Sequence, residues 1–478
     1  STTTRCGGWA VPRPTGNFRA RPISPFPSPL HPYYTESAMA KIHAFRGIRY
    51  NLGQVGALSD VIAPPYDVID PALQDKLYQQ HPLNVIRLIL NRAEPGDGEL
   101  QNQYTRAAAT LRRWQRDGVL QTDPAPAIYV YHQIYTHGGE SFTRRGFMAR
   151  VGLEKLGSGS IYPHEETHAA AKADRLQLTR ACQANLSQIF SVYPDPDNVV
   201  QQGLESAITT QTPLEAVDHL GITHRIWPVT DLPVIQQVTT DMATLPLFIA
   251  DGHHRYETAC NFLEERKQEG PLAATDPANG VLMMCVSMND PGMIVLPTHR
   301  LFRGVPEMRS EELQARLTDC FTTQTAGSGP DEATKVWEEI ESAGRQDVLG
   351  LYTAPDQKWV LATLTDAGRQ RMANISAQQS SSWQGLGVSI LHRLVIETLL
   401  EIESHPKPQY VHRVDEVIEG LQHGSEQGEH FPLAALVMPA SLEHIRAISH
   451  EGERMPAKST YFFPKLLSGL VFHSLRQP

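Results

Sequence analysis

Residues 245–265, LPLFIADGHHRYETACNFLEE, change hydrophobic period in mid-course, which constrains the fold more than any other stretch of the chain. The apolar run 247–250, behind Pro246, predicts a buried strand. Asp251 and Gly252 supply a turn or N-cap signal. Tyr256, Ala259, Cys260 and Leu263 then recur at i, i+3, i+4 and i+7, the spacing of one buried helix face. Two histidines and an arginine therefore sit where a strand becomes a helix. The first amides of a helix have no internal partner and carry the positive end of its dipole. Gly252 allows close approach to the backbone, and His253, His254 and Arg255 add donors. That combination suits an anion, above all a phosphate. The plainer alternative is an ordinary strand–loop–helix with the polar trio in solvent, because Gly-His-His-Arg alone is a weak pattern.

Elsewhere strands and helices intermix without strict βαβ alternation. Strands are expected at 85–90, 128–134, 141–151, 189–193, 225–229, 281–288, 293–296 and 434–438, and helices at 99–117, 169–188 and 388–403. The pattern predicts a mixed α/β (α+β) fold, with an α/β lobe over 39–303 and a second α+β lobe over 304–478 packed on it. Residues 1–38 are rich in Pro, Ser, Thr and Arg and lack periodicity, so they read as a disordered extension upstream of a functional start at Met39. Five scattered cysteines fit a reducing compartment, and no apolar run reaches the length of a bilayer. The expectation is a cytoplasmic protein with no membrane partner. A net charge of -10 argues against a nucleic-acid partner. No Walker-A sequence, dinucleotide Gly-x-Gly-x-x-Gly, Gly-x-Ser-x-Gly elbow or Cys-x-x-Cys pair occurs.

Three further blocks carry candidate chemistry. In VIAPPYDVI (61–69) two prolines impose an extended, rigid loop that presents Tyr66 and Asp67, either to a substrate or to a packing corner. His164-Glu165-Glu166-Thr167-His168 matches the zinc-peptidase pattern His-Glu-x-x-His. A helix continuing through Ala171 would separate His164 from Asp174 by about 15 Å of rise, too far to share a metal. Pro163 would also place His164 in a first turn, where Glu165 and Glu166 simply answer the dipole. Pro297-Thr298-His299-Arg300 falls at an expected strand end, where α/β proteins bind ligands. Lys458, in MPAKSTYFFPK (455–465), offers a phosphate donor in a structured loop. Cys260, on the apolar helix face, reads as buried and inert.

VIAPPYDVI, PHEET (163–167), LPLFIADGHHRYETA (245–259), VLPTHRLF (295–302) and MPAKSTYFFPKLLSGLVFH (455–473) together resemble a bacterial and archaeal family of uncharacterised proteins, a domain of unknown function. The resemblance spans 39–475, supports Met39 as the start, and does not include His168 among the family's recurring positions. Locally, Asp251-Gly252-His253-His254-Arg255 is similar to the Gly-x-x-Arg box of the ParB/sulfiredoxin superfamily, which includes kinases acting on free serine. That resemblance implies a nucleotide-binding core in which Gly252, His254 and Arg255 hold phosphates. His253 stands where sulfiredoxin has its cysteine, which argues against reductase chemistry.

The leading expectation is a nucleotide- or phosphate-dependent enzyme of small-molecule phosphotransferase type, using ATP or another nucleotide with Mg²⁺. Its catalytic candidates are Glu165, Asp251 and His253. Its cofactor-binding candidates are Gly252, His254, Arg255, Thr298, His299, Arg300 and Lys458, and its substrate-binding candidates are Tyr66, Asp67 and His164. The alternatives are a metal-dependent hydrolase on His164, Glu165 and His168, and a non-catalytic nucleotide or ligand sensor.

Overall fold

Along the longest strands, odd and even residues are equally apolar, which requires a sheet covered on both faces. The computed structural model describes residues 40–156, 159–165, 169–425 and 428–477. The extension expected over 1–38, and His168 with its two preceding residues, lie outside the described residues. A nine-stranded sheet runs in the order Ile161–Tyr162, Leu247–Asp251, Ile189–Tyr193, Gly280–Ser287, Glu140–Gly152, Ile128–His137, Thr223–Val229, Leu214–Val217, with Ile42–His43 also pairing to Glu140–Gly152. Most neighbours are antiparallel. Leu247–Asp251 runs parallel to Ile161–Tyr162, and Gly280–Ser287 parallel to Ile189–Tyr193.

Alternation divides these strands between two cores. Tyr129, Tyr131, Met148, Phe190, Phe248, Leu282 and Met284 pack on one face. Ile128, Val130, Phe147, Ile189, Leu247, Ile249 and Met283 pack on the other. A six-stranded sheet follows in the order Phe321–Ser328, Lys358–Leu364, Val348–Thr353, Leu433–Leu436, His299–Phe302, Gln409–Val411. The fold is thus mixed α/β.

Two features of the fold position the candidate site. At Pro297 and Thr298 the chain leaves the Ile294–Leu296 strand and enters the six-stranded sheet at His299. From Met455 onward it returns to the first core: Tyr461–Phe463 pairs with Ile294–Leu296, His473–Ser474 pairs with Ala184–Asn185, and Phe462 is buried.

Three expectations are corrected. Residues 85–90 form a helical turn, Ile86–Ile89, because the Asn84 side chain accepts from the Ile86 N–H at 2.9 Å. The 169–188 helix stops at Cys182 and gives way to the short Ala184–Asn185 strand. Pro297 and Thr298 follow the end of the Ile294–Leu296 strand as expected, but His299 and Arg300 already lie within the next one, His299–Phe302.

Candidate functional site

The Leu247–Asp251 strand passes into the His253–Glu269 helix through Gly252, whose φ of 92° lies in the left-handed region. Only glycine adopts that conformation without strain. A Cβ at 252 would also come within 2.9 Å of the Arg255 guanidinium, which would have to move. That guanidinium folds back over the turn, 4.0 Å from Asp251 Oδ1, and donates to the Gln188 carbonyl. Lys465 Nζ donates to Asp251 Oδ2 at 3.0 Å. Burial alone would raise the Asp251 carboxyl. The charges of Lys465, Arg255 and Lys458 outweigh it and hold the group below the ordinary carboxylate range. His254 sits half-buried in the same first turn.

Opposite the turn lies the 163–165 segment. His164 is fully buried; its N–H donates to His253 Nε2 at 3.3 Å, and the two rings meet edge to face. His164 Nε2 is 2.9 Å from Thr460 Oγ1, while its Nδ1 is buried without a hydrogen-bond partner. Glu165 Oε1 accepts from Thr460 N–H at 3.1 Å and Thr460 Oγ1 at 2.8 Å. Burial again opposes ionisation, but His164, His253 and Lys458 draw the Glu165 carboxyl down, so it is held as a carboxylate. His253 is pushed down to about 3 by burial and by His164, against Glu165 and Asp251. In this structure the His253 ring accepts the His164 backbone N–H through Nε2 and so orients the 163–165 segment.

The zinc template is also corrected at its first half. Glu165 makes a β-bridge with Met455, and the following helix is described from Ala169. His164 and Glu165 therefore lie on extended backbone, outside any first helical turn, and the helical face needed for His-Glu-x-x-His ligation does not form there. Asp174 accepts from Tyr104 Oη at 2.7 Å and pairs with Arg175.

Of the 298–300 block, Thr298 and Arg300 reach this region, and the arginine arrives with its donors engaged. Arg300 donates to the Thr298 carbonyl, to His392 Nε2 at 3.2 Å and to the Lys458 carbonyl at 2.8 Å. It is 1% exposed. With these donors engaged, Arg300 is a clamp that seats the 455–465 loop. His299 lies one residue along the strand, where side chains alternate faces, and packs against Trp337 instead. Thr298 Oγ1 lies 3.4 Å from His412 Nδ1. The Lys458 side chain, on a backbone at φ 60°, makes no hydrogen bond or ion pair among the described residues, yet its charge acts on Asp251 and Glu165. Tyr66 lies under the Arg175 guanidinium at 4.0 Å and shares a small cavity of about 50 Å³ with Arg255. Asp67 is exposed. Thus Tyr66, Glu165, Asp251, Arg255 and Lys458 converge, and His299 does not join them.

Residues 42–389 match the family described as Protein of unknown function (DUF1015). The chain belongs to that family. No curated protein matches the chain. Among solved structures, a free serine kinase in complex with AMP is 11% identical at a TM-score of 0.31, with 65% of this chain and 93% of that one covered. A conserved hypothetical protein from Pyrococcus furiosus is 12% identical at 0.30, covering 64% and 89%. SbnI with a C-terminal truncation, from Staphylococcus aureus, is 12% identical at 0.32, covering 69% and 89%.

In this DUF1015 chain the structure adds residues that sequence reasoning did not assign. Lys465 and Thr460 come from the same loop as Lys458 and were visible there as donors. Lys407, Tyr410 and His412 carried no local signal. His412 stacks on Tyr461 with ring centroids 3.5 Å apart, and Lys465 Nζ lies 4.4 Å over the same ring. Burial and the Lys458 charge depress the Lys407 ammonium, while Asp67 supports it, so all three share one field. Cys260 is half-buried rather than buried as expected, and desolvation pushes its thiol up to about 12. Chemically, the assembly offers helix N-terminal amides and three cations facing two ionised carboxylates. No helix among the described residues is long and apolar enough to cross a membrane.

Proposed function

We propose that the protein binds a phosphate-bearing small molecule, in the first instance a nucleotide, at the 252–255 turn and transfers a phosphoryl group from it. The observation that supports this reading is the convergence of Arg255, Lys458 and Lys465 beside the open first turn of the His253–Glu269 helix. Backbone amides and the dipole favour anionic oxygens there, and three cations spread over distant segments supply the rest. A bound phosphate competes with Asp251 for Arg255 and Lys465, which frees that carboxylate. Asp251 and Glu165 would then hold Mg²⁺, which takes one or two carboxylates together with substrate phosphates. Mg²⁺ would neutralise charge developing on the transferred group. Buried His253 and His164 keep the Glu165 segment in register with the turn.

Isothermal titration with ATP, ADP and CTP, each with and without Mg²⁺, tests binding. The expected result is micromolar affinity for at least one nucleotide, weakened at least tenfold in Arg255→Ala. Binding no tighter than millimolar, or equal binding by Arg255→Ala, overturns the reading. Transfer is tested by nucleotide turnover across small hydroxyl-bearing acceptors; tight binding without turnover makes the protein a sensor.

A further inference from the structure

A second concentration of positive charge lies away from this turn, on a face of the Gln103–Arg116 helix that the proposed function does not use. Its inner face is apolar and buried through Ala107, Ala108, Leu111 and Trp114. Its other face presents Arg106, Ala109, Thr110, Arg113 and Arg116, spaced at i, i+3, i+4, i+7 and i+10. Two small residues thus form a floor between arginines. The Pro71–Gln80 and Ile86–Ile89 helices raise the facing wall, which carries Tyr78, Arg87 and Arg92. Together they line an open groove of about 550 Å³ with five arginines and a single lining carboxylate, Glu94. That volume falls within the range of small-molecule sites.

The arginines are not simply balanced in place. Arg92 pairs with Asp75, Arg106 with Asp97 and Glu94, and Arg116 with Asp117. Arg87 and Arg113 face no carboxylate within ion-pair distance among the described residues. Arg87 is held instead by the carbonyls of His81 and Tyr78, at 2.8 and 2.9 Å. Burial and the neighbouring Arg92 charge depress the Arg87 guanidinium, an electrostatic strain that an anion relieves. The only aromatic ring in the lining is already occupied: the Arg87 and Arg92 guanidiniums lie 4.5 and 4.1 Å from the Tyr78 centroid. A nucleobase has no open aromatic face to stack on there.

We infer that this groove is a second anion site, for a compact oligophosphate bound by its phosphates alone. Five guanidiniums on two walls, with Arg113 outside any ion pair among the described residues and Arg87 balanced only by carbonyls, match a group carrying several anionic oxygens better than a monoanion. The source is free pyrophosphate or the diphosphate of a nucleotide, and the site reads the chemistry they share.

The test is titration calorimetry with pyrophosphate and, separately, ADP at fixed ionic strength, in an Arg255→Ala background that removes the turn site. Success there does not depend on the proposed function, and failure there leaves that function standing. One further substitution, Ala109→Glu, plants a carboxylate in the exposed floor without touching the helix's buried face. A second, Arg113→Gln, removes one unpaired fork from an exposed position. The expected result is saturable 1:1 pyrophosphate binding in the background protein, weakened at least tenfold by either substitution. Equal binding of ADP shows that nucleotide diphosphates are accepted; pyrophosphate binding alone identifies the free anion as the ligand. No saturable pyrophosphate binding, binding of ADP alone, or binding untouched by Ala109→Glu overturns the inference.

Discussion

At the scale of single residues, Gly252 joins the backbone, steric and electrostatic requirements of the candidate site. Gly252→Ala forces a side chain into the left-handed region, at about 1–2 kcal/mol. It also displaces the Arg255 guanidinium that lies over the turn. The expected outcome is that modest loss of stability in chemical denaturation, together with at least a tenfold loss of nucleotide affinity. Lys458→Met separates the two effects. Among the described residues its ammonium holds no hydrogen bond, so stability should change by less than about 0.5 kcal/mol while phosphate affinity falls. If Lys458→Met leaves affinity unchanged, Lys458 is not a ligand group. The glycine and Arg255 were readable in advance, because a turn between two hydrophobic periods needs special backbone and exposes its donors. The role of Arg300 was not: whether an arginine is a free fork or a clamp depends on which carbonyls reach it, and the Lys458 carbonyl lies 158 positions away.

Among elements, the 455–465 loop is the part on which the site depends most. It supplies Lys458, Thr460 and Lys465, and Arg300 seats it on the six-stranded sheet. Arg300→Met leaves the Thr298 and Lys458 carbonyls without this donor, each costing about 1–3 kcal/mol if it stays buried. Limited proteolysis should then cut within 455–465 before the rest of the chain. Arg300→Lys should not restore protection, because a point charge cannot reach two carbonyls and His392 at once. Equal resistance of Arg300→Met and the parent would show that the loop is held by its apolar contacts alone. Long strands were legible from their continuous apolar runs, as in Gly280–Ser287, all of whose residues are buried. The short run 85–90 was not. Four buried apolar residues have no readable period, and the Asn84 side chain settled them as a helical turn.

For the whole molecule, histidine burial governs the response to acid. Burial, as the largest cause in each case, lowers His253, His299 and His392 to about 3 and His412 and His473 to about 4, from 6.5. Between those values and 6.5 the unfolded chain binds more protons than the folded one. Stability is therefore complete above 6.5 and declines as pH falls below it, by roughly 1.4 kcal/mol per pH unit for each such histidine. Glu165 and Asp251, also depressed, lose their contribution only at more acidic pH, as they protonate through their folded values. Melting temperatures measured from pH 7.5 to 4.5 should fall steeply below about 6.5, and a flat profile would contradict this burial.

Sequence alone determined the mixed α/β class, the two-faced burial of the main strands, and the strand-to-helix turn at Gly252. Each is set within a few residues by backbone geometry and hydrophobic period. Tertiary structure decided which distant blocks meet. Residues 66, 165, 251–255, 407–412 and 458–465 come together because the chain crosses to a second sheet at Pro297 and returns after Met455, a path that no local period encodes. The same packing sent His299 to the opposite face, committed Arg300, and left the Lys458 ammonium without a hydrogen bond among the described residues, beside two carboxylates.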